Sequence, residues 1–249
     1  MTEEQRAGTT PARAMVVVAH PDDAEFMCAG TVARWAAEGS EIVYVLGTSG
    51  DKGSDDPGVT SEQLMETREA EQREAARILG VKHVEFLRFR DAELEPNLAL
   101  RLAITRMIRL HRPDAVICQD PTSRWSGRGY LQHPDHIAMG EATLAAVYPS
   151  ARDRLTFPQL LAEGLEPHKA TEVYLAAAGE ADVWIDITNS FDKKLEALAA
   201  HVSQIGGDWD VESMVRQWAQ GIAAEARQRG FPGADEIELA EGFKYFRLG

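Results

Sequence analysis

The sequence has few cysteines and no long apolar run. Only Cys28 and Cys118 occur among its 249 residues, and both fall in apolar stretches. This placement predicts buried free thiols, disfavours a disulfide framework and favours a reducing, cytoplasmic location. The N-terminal segment MTEEQRAGTTPAR lacks the apolar core of a signal peptide. No apolar run reaches the roughly 18 to 20 residues that span a bilayer, so we expect no membrane insertion.

Basic side chains are also scarce. Lys and Arg number 26 against 40 Asp and Glu, which gives a formal net charge of −14. An acidic field of this size repels polyanions, so we expect no nucleic-acid partner. The sequence has no Walker A motif and no G-x-G-x-x-G after its first apolar strand, and its GTSG segment is not the G-x-S-x-G elbow of serine hydrolases. These absences disfavour a nucleotide-binding module and a serine enzyme.

Apolar strands alternate with amphipathic helices through the first half of the chain. We predict four strands, at 14–19, 41–48, 83–89 and 114–119. A helix is predicted after each strand, at 24–39, 61–80, 98–111 and 133–148, with a polar loop over 120–132. The alternation predicts an α/β, Rossmann-like, mostly parallel sheet with helices on both faces and right-handed crossovers.

The second half of the chain is less regular. We predict strands at 171–178 and 182–188 and helices at 191–205 and 211–230. The pattern at 241–248 fits either a strand or a helix. No internal repeat or linker divides the chain, so we interpret residues 13–249 as one domain preceded by a flexible tail, residues 1–12.

The segment AHPDDAE follows the first predicted strand. Open α/β sheets bind ligands beyond the carboxyl ends of their strands, so His20, Asp22 and Asp23 lie where a site is expected. His20 and Asp23 are three residues apart at a turn, a spacing that lets an imidazole and a carboxylate reach one divalent ion. Asp22 points differently and is free to remain a carboxylate near the metal. The alternative is that Asp22 or Asp23 caps the helix that follows.

A second polar segment, QHPDH, follows the fourth predicted strand. His133 and His136 are three residues apart at the start of a helix and share a face, although such a pair alone also fits a surface coincidence. Both segments lie at the same edge of the sheet, so His20, Asp23 and one of these histidines can supply three metal ligands. An open coordination position would activate water for amide or ester hydrolysis, with Asp22 as general base and the other histidine as general acid or oxyanion stabiliser.

The two segments together resemble the PIG-L/LmbE-like zinc-dependent N-acetylglucosaminyl deacetylases. The segments TSGDKGS, TREAE and RFRDAEL extend the resemblance over most of the chain. It implies a Zn²⁺-dependent hydrolase that removes the acetyl group of a small amino-sugar conjugate, and it implies a homo-oligomer. Other first-row divalent ions suit the same ligands. Two alternatives are hydrolysis of another acyl or thiol-conjugate amide, and a Rossmann-like binding module without turnover.

The resemblance also implies roles for individual residues of the metal site. Three residues match the zinc ligands of the family: His20, Asp23 and His136. Asp22 matches its general base. His133 matches the histidine that stabilises the oxyanion and helps to protonate the leaving amine, and Asp135 would orient His133.

Three further residues are compared with the family pattern outside the metal site. Arg68 and Asp91 match positions that hold sugar hydroxyls, although Arg68 also fits a helix-surface charge and Asp91 a turn residue. Some members carry a tyrosine just before HPDH that polarises the substrate carbonyl. In this sequence Tyr130 is displaced from that position, and we assign it no catalytic role. The surrounding SRWSGRGY segment predicts a mobile loop.

Overall fold

The computed structural model describes residues 9–206 and 210–249, so most of the predicted tail lies outside the described residues. The strands in this part of the chain are β1 (Arg13–Val18), β2 (Glu41–Thr48), β3 (His83–Phe89), β4 (Ala115–Gln119), β5 (Trp125–Ser126), β6 (Tyr130–Leu131), β7 (Glu172–Ala176), β8 (Val183–Asp186) and β9 (Ala240–Arg247). The helices are α1 (Asp23–Ala37), α2 (Ser61–Leu79), α3 (Leu98–His111), α4 (Pro134–Ala145), α5 (Gln159–Ala162), α6 (Phe191–Leu198) and α7 (Val211–Gln228). None of these helices has the length and apolarity needed to cross a bilayer.

Seven strands form one mixed, mostly parallel sheet. Its order is β3-β2-β1-β4-β7-β9-β8. The first five strands in this order run parallel, and β9 is antiparallel to both of its neighbours. The short strands β5 and β6 pair separately as an antiparallel hairpin. The succession β3-β2-β1-β4 confirms the predicted Rossmann-like α/β fold.

Helices cover both faces of this sheet. Val16 and Val18 of β1 belong to a core shared with α1, α2, α6 and α7, whereas Met15 and Val17 belong to a core shared with α3 and α4. All four side chains are fully buried, which explains why β1 is apolar throughout instead of alternating. Helices α1 and α2 lie on one face of the sheet, and α3 and α4 lie on the other. A crevice is therefore expected beyond the carboxyl ends of β1 and β4, the neighbouring strands at which the helices change face.

Helix α2 has the boundaries that its sequence predicts. Thr60 and Gln63 form a capping box, in which the Thr60 hydroxyl accepts from the Gln63 N–H and the Gln63 side chain accepts from the Thr60 N–H. Gly80 ends the helix with a left-handed φ of 82°. The buried face of α2 includes Arg68 and Gln72, which are one turn apart and point towards the first predicted site segment.

The structure departs from the predicted elements in a few places. The helix predicted over 133–148 ends at Ala145, and a kinked turn follows in which Tyr148 is non-helical before Pro149. The helix predicted over 191–205 ends at Leu198. The loop predicted over 120–132 contains the β5–β6 hairpin. The ambiguous segment 241–248 forms most of β9.

Candidate metal centre

The two predicted site segments meet at the carboxyl edge of the sheet, although 116 positions separate His20 from His136. The Nδ1 atom of His20 lies 3.2 Å from Nε2 of His136. Asp23 Oδ1 lies 3.0 Å from the same His136 nitrogen, and Asp23 Oδ2 lies 3.5 Å from His20 Nδ1. These three residues converge closely enough to hold a metal ion.

Oxygen atoms contact the nitrogen of each imidazole that points away from this cluster. Nε2 of His20 lies 3.1 Å from Asp91 Oδ1 and 3.2 Å from Asp135 Oδ2. Nδ1 of His136 lies 3.1 Å from Gln132 Oε1. Metal-ligating histidines almost always bind such an oxygen through their second nitrogen, which fixes the orientation of the ring. The imidazole and carboxylate donors therefore fit a first-row divalent ion.

The charges of the cluster also favour a cation. Burial works to lower the pKa of His20, but its hydrogen bonds to Asp135, Asp23 and Asp91 outweigh burial and hold that pKa well above its ordinary value. Burial works to raise the pKa of Asp23, but His136 and His20 outweigh it and hold that pKa well below its ordinary value. Three carboxylates thus lie around one imidazole, an arrangement that favours a positive charge among them.

Both oxygens of Asp23 are bound by the surrounding structure. Oδ2 accepts from the backbone N–H of His20 at 2.8 Å and from Gln119 Nε2 at 3.0 Å. Gln119 is the last residue of β4, so this bond crosses the crevice between β1 and β4. The Asp23 carboxylate is therefore held in one orientation, with Oδ1 towards His136.

Asp22 lies in a different environment from its neighbour. It stands at the N-cap position of α1 in a left-handed conformation, with φ 87° and ψ −26°, and its side chain makes no capping hydrogen bond. The interpretation of Asp22 as a helix cap is therefore wrong. Its Oδ2 accepts from Arg68 Nη2 at 3.1 Å. Burial, reinforced by the Asp23 charge, raises the pKa of Asp22 to about 6, against the opposing effect of Arg68.

His133 lies beside the cluster as the N-cap of α4. Its ring centroid is 4.7 Å from that of His20. Its Nδ1 accepts from the Asp135 backbone N–H at 3.2 Å. A ring nitrogen that accepts a hydrogen bond carries no proton, so neutral His133 has its proton on Nε2. Burial, followed by the charge of His20, lowers the pKa of His133 and favours this neutral donor form.

The Asp135 carboxylate is fully buried at the same edge. Its Oδ2 accepts from the Ala92 N–H at 2.7 Å, and its Oδ1 accepts from the Leu94 N–H at 3.2 Å. Oδ2 is also the atom that contacts His20. Asp135 therefore touches His133 through its backbone and His20 through its carboxylate.

Arg68 and Asp91 are both buried, with 4% and 5% of their surface exposed. Arg68 donates to the carbonyl oxygens of Gly50 at 3.0 Å and Pro21 at 2.8 Å, so it is not a helix-surface charge. A Cβ at Gly50, where φ is 66°, would lie 2.3 Å from Arg68 Nη1, and only glycine leaves this guanidinium its place. Asp91 Oδ2 accepts from the Lys52 backbone N–H at 3.1 Å.

Three glutamines of the site escape prediction from the sequence. Gln72 accepts from the Asp22 backbone N–H, Gln119 donates to Asp23 and Gln132 contacts His136. A glutamine side chain carries no charge and neither gives nor takes a proton near neutral pH, so a search for zinc ligands and acid–base residues does not select it. Each glutamine nevertheless has a signal in the sequence. Gln119 is a polar residue at the carboxyl end of β4, Gln72 lies one helical turn after Arg68, and Gln132 directly precedes HPDH.

The sequence of the chain matches a family model and the sequences of known relatives. The family model described as PIG-L, GlcNAc-PI de-N-acetylase, matches residues 15–147. A diacetylchitobiose deacetylase of Thermococcus kodakarensis is 32% identical over 200 residues, which cover 80% of this chain and 73% of the relative. A probable N-acetyl-alpha-D-glucosaminyl L-malate deacetylase of Bacillus anthracis is 30% identical over 213 residues, which cover 84% of this chain and 87% of the relative.

A solved structure shares the fold over nearly the whole chain. It is the N,N'-diacetylchitobiose deacetylase of Pyrococcus horikoshii in complex with an inhibitor, with a TM-score of 0.87 and 27% sequence identity. The similarity covers 98% of this chain and 87% of the other. The match therefore includes the C-terminal strands, which lie beyond the residues matched by the family model.

Proposed function

Since the chain belongs to the PIG-L family of de-N-acetylases, we propose that it is a metal-dependent hydrolase that removes the acetyl group from an N-acetylglucosamine-type substrate. One observation carries the proposal. His133 lies beside a converging cluster of two imidazoles and one carboxylate, and the neighbouring Asp22 is close enough to Asp23 for that charge to raise the pKa of Asp22. These are the groups that amide hydrolysis requires: a metal site, a base and a hydrogen-bond donor.

We propose that His20, Asp23 and His136 hold the metal and that Zn²⁺ is the native ion. Two nitrogen donors and one carboxylate oxygen are a ligand set of catalytic zinc sites, and three protein ligands leave a position open. When bound, such an ion lowers the pKa of water towards neutrality and polarises the substrate carbonyl. Asp91, Asp135 and Gln132 support the proposal because their oxygens hold the two imidazoles in the orientation that ligation needs.

Asp22 is the proposed general base. Arg68 binds its Oδ2, and among the described residues its Oδ1 has no hydrogen-bond partner, so this oxygen is available to accept the proton of the attacking water. Asp23 cannot replace Asp22 as the base, because both of its oxygens are already engaged. Oδ2 accepts from the His20 N–H and from Gln119, and Oδ1 contacts His136. The two adjacent aspartates therefore have separate roles.

His133 is the proposed hydrogen-bond donor to the acyl group. Its Nδ1 caps α4, so the proton on Nε2 is the one it can donate as negative charge develops on the carbonyl oxygen. When the carbon–nitrogen bond breaks, the leaving nitrogen takes up the proton that Asp22 accepted from the attacking water. Neutral His133 has one ring proton, so it assists through its hydrogen bond and keeps that proton. The products are acetate and the free amine of the sugar.

We propose that Arg68 and Asp91 line the sugar end of the site and also support its chemistry. Family resemblance supports contact with sugar hydroxyls. Their polar atoms contact Asp22 and His20, respectively, which supports the second role. The related enzymes named above differ in what lies beyond the amino sugar, a second amino sugar in diacetylchitobiose and a malate group in the other name, so the test includes both kinds of substrate.

The test combines metal analysis with detection of the free amine. Zinc-loaded protein is incubated with diacetylchitobiose and with malate and inositol conjugates of N-acetylglucosamine, next to other acyl and thiol-conjugate amides. We expect turnover of an amino-sugar substrate. Asp22→Asn should keep its zinc and lose roughly 10²- to 10⁴-fold in kcat, whereas His136→Ala should lose zinc as well.

A matched control is Asp114→Asn, because Asp114 pairs with Arg13 at the opposite, amino edge of the sheet and should leave kcat unchanged. Asp22→Asn turning over at the wild-type rate would rule out Asp22 as the base. Cleavage of only the other amides would reject the sugar substrate, and zinc binding without any turnover would favour a binding module.

We further propose a cytoplasmic location and a homo-oligomeric state. The two cysteines are buried free thiols, which supports a reducing compartment. The family resemblance supports the oligomer. Light scattering of the purified protein at several concentrations would test the second proposal directly.

A further inference from the structure

We propose that Gln72 is a positioning residue for Asp22: its buried carboxamide holds the Asp22 backbone in the left-handed conformation, in which the carboxylate binds Arg68 instead of capping α1. The inference rests on the proposed function, because it concerns the proposed base. It assigns a role to a residue that no metal or catalytic motif of the sequence includes.

The backbone of Asp22 is unusual for a residue with a side chain. Its φ of 87° lies in the left-handed region, which residues other than glycine seldom adopt. A residue at the start of a helix is ordinarily extended, with its side chain bonded to a free N–H of the first turn. Asp22 has neither feature. A conformation of this kind persists only where surrounding groups impose it.

Gln72 supplies the contact on the nitrogen side of this residue. Its Oε1 accepts from the Asp22 backbone N–H at 3.0 Å, and its Nε2 donates to Glu25 Oε1 at 3.0 Å. The side chain is fully buried. Rotating the amide by half a turn would place its oxygen against the Glu25 carboxylate and its NH₂ against the Asp22 N–H. The orientation of the carboxamide is therefore fixed.

A further buried group, His201, contacts the other oxygen of Glu25. Glu25 Oε2 lies 3.2 Å from Nε2 of His201, and both side chains have no exposed surface. The chain of contacts from Asp22 through Gln72 and Glu25 to His201 links α1, α2 and the segment after α6. A buried polar network whose members bond to one another holds its atoms in one arrangement. The contacts of Glu25 with Gln72 and His201 thus hold the Gln72 side chain in place.

Arg68 supplies the contact on the other side of Asp22. It lies one turn before Gln72 on the same face of α2, and it binds the carbonyl of Pro21 and Oδ2 of Asp22. Arg68 and Gln72 of α2 therefore hold the turn at three points: the Pro21 carbonyl, the Asp22 N–H and the Asp22 carboxylate. Without the Gln72 oxygen, the Asp22 N–H has no acceptor, and only the Arg68 contacts oppose relaxation to the extended N-cap conformation, which would bring the carboxylate to the helix N–H groups.

The metal ligands do not depend on Gln72 in this way. Asp23 is held by the His20 N–H and by Gln119, and neither bond involves α2. Loss of the Gln72 contact should therefore reduce turnover without releasing the metal. This separation distinguishes a positioning role from a general role in folding.

The test uses Gln72→Met, which keeps the length of the side chain and removes its acceptor, in the zinc-loaded full chain. We expect kcat on the best amino-sugar substrate to fall about 10- to 100-fold, a loss typical of removed supporting contacts, with KM and zinc content unchanged. Hydrogen exchange of the segment after β1 should become faster. Gln72→Glu keeps the length of the side chain and an oxygen for the Asp22 N–H, and should restore most of kcat.

Two further variants complete the design. Thr105→Val removes a fully buried hydroxyl on α3, away from α2, and should leave kcat and exchange unchanged. Gln72→Asn, one methylene too short to bridge Asp22 and Glu25, replaces the Met variant if that one does not fold, with the same expected loss of kcat.

The inference is overturned if Gln72→Met or Gln72→Asn keeps the wild-type kcat, or if zinc and activity are lost together. Absence of wild-type turnover on every amino sugar would instead reject the proposed function. In that case the exchange rates alone decide whether Gln72 holds the Asp22 backbone.

Discussion

The two turns that form the metal centre are supported in different ways. The turn at 20–23 follows a central strand, and its side chains bind buried partners such as Asp135, Gln119 and Arg68. The turn at 132–136 follows the β5–β6 hairpin, in which Tyr130 and Leu131 are 52% and 82% exposed. The first turn is therefore enclosed by the core, whereas the second turn joins an exposed hairpin to α4 and is buried only in part, at Asp135.

The difference extends to the partners of the two imidazoles. His20 is backed by two carboxylates, Asp91 and Asp135, whereas His136 is backed by the neutral amide of Gln132. A carboxylate makes the ligating nitrogen more basic and forms a stronger, charge-assisted hydrogen bond than an amide does. The comparison predicts that affinity for the metal depends more on the carboxylate partners of His20 than on the amide partner of His136.

Asp135→Asn should produce the largest effect among the supporting residues. The Asp135 carboxylate now contacts the N–H groups of Ala92 and Leu94 and the ring of His20. The substitution removes the negative charge next to His20, and the new NH₂ group faces one of these three partners. We expect zinc affinity to fall about 10- to 100-fold and the unfolding temperature to drop, measured by competitive chelator titration and calorimetry. Glu93→Gln, the same charge change on an exposed residue nearby, is the control. Unchanged affinity in the Asn variant would contradict the comparison.

Gln132→Ala should produce a smaller effect. The lost partner of His136 is neutral, and its hydrogen bond is about half as strong as a charge-assisted one, so we expect less than a tenfold loss of zinc affinity by the same titration. Gln132→Glu should strengthen binding, because it gives His136 the kind of partner that His20 has. Weaker zinc binding by the Glu variant would contradict the expectation that a carboxylate partner strengthens zinc binding by either imidazole.

Tyr130→Phe should produce the smallest effect. The Tyr130 hydroxyl donates to Gln132 Oε1 at 2.8 Å on the exposed hairpin, and an exposed hydrogen bond between neutral groups adds little to stability. We expect kcat/KM for amine release to change by less than about threefold. A loss of a hundredfold or more, with zinc retained, would instead assign the hydroxyl to the reaction and make the hairpin part of the catalytic machinery.

Much of the fold follows from sequence pattern, because buried parallel strands are uniformly apolar. The bounds of β2 and β3 agree with the prediction, and β1 and β4 differ by one residue. The meeting of His20 with His136 follows as well, since parallel strands bring their carboxyl ends to one edge. The strand β9 was ambiguous because its apolar residues suit two periods, and only its pairing with β7 and β8 decides between them.

The supporting contacts of the site do not follow from the sequence. Gln72 and Gln119 act through hydrogen bonds whose partners lie 50 and 96 positions away, and glutamine is also a common surface residue. The left-handed backbone of Asp22 is likewise set by α2 and not by its own neighbours in sequence. Residue type identifies the groups that can do chemistry, whereas tertiary contacts determine how they are oriented.

The position of β9 in the sheet has a consequence for the order in which the chain can assemble. β7 and β8 are consecutive in sequence, yet β9 lies between them and pairs with both. As the chain leaves the ribosome, β1 to β4 and β7 can pair as they emerge, but β8 has no neighbour in the sheet until residues 240–247 have been made. The last long-range pairing of the sheet is therefore delayed until β9 has been made, and a chain that stops before β9 would leave β7 with an open edge, a surface prone to aggregation.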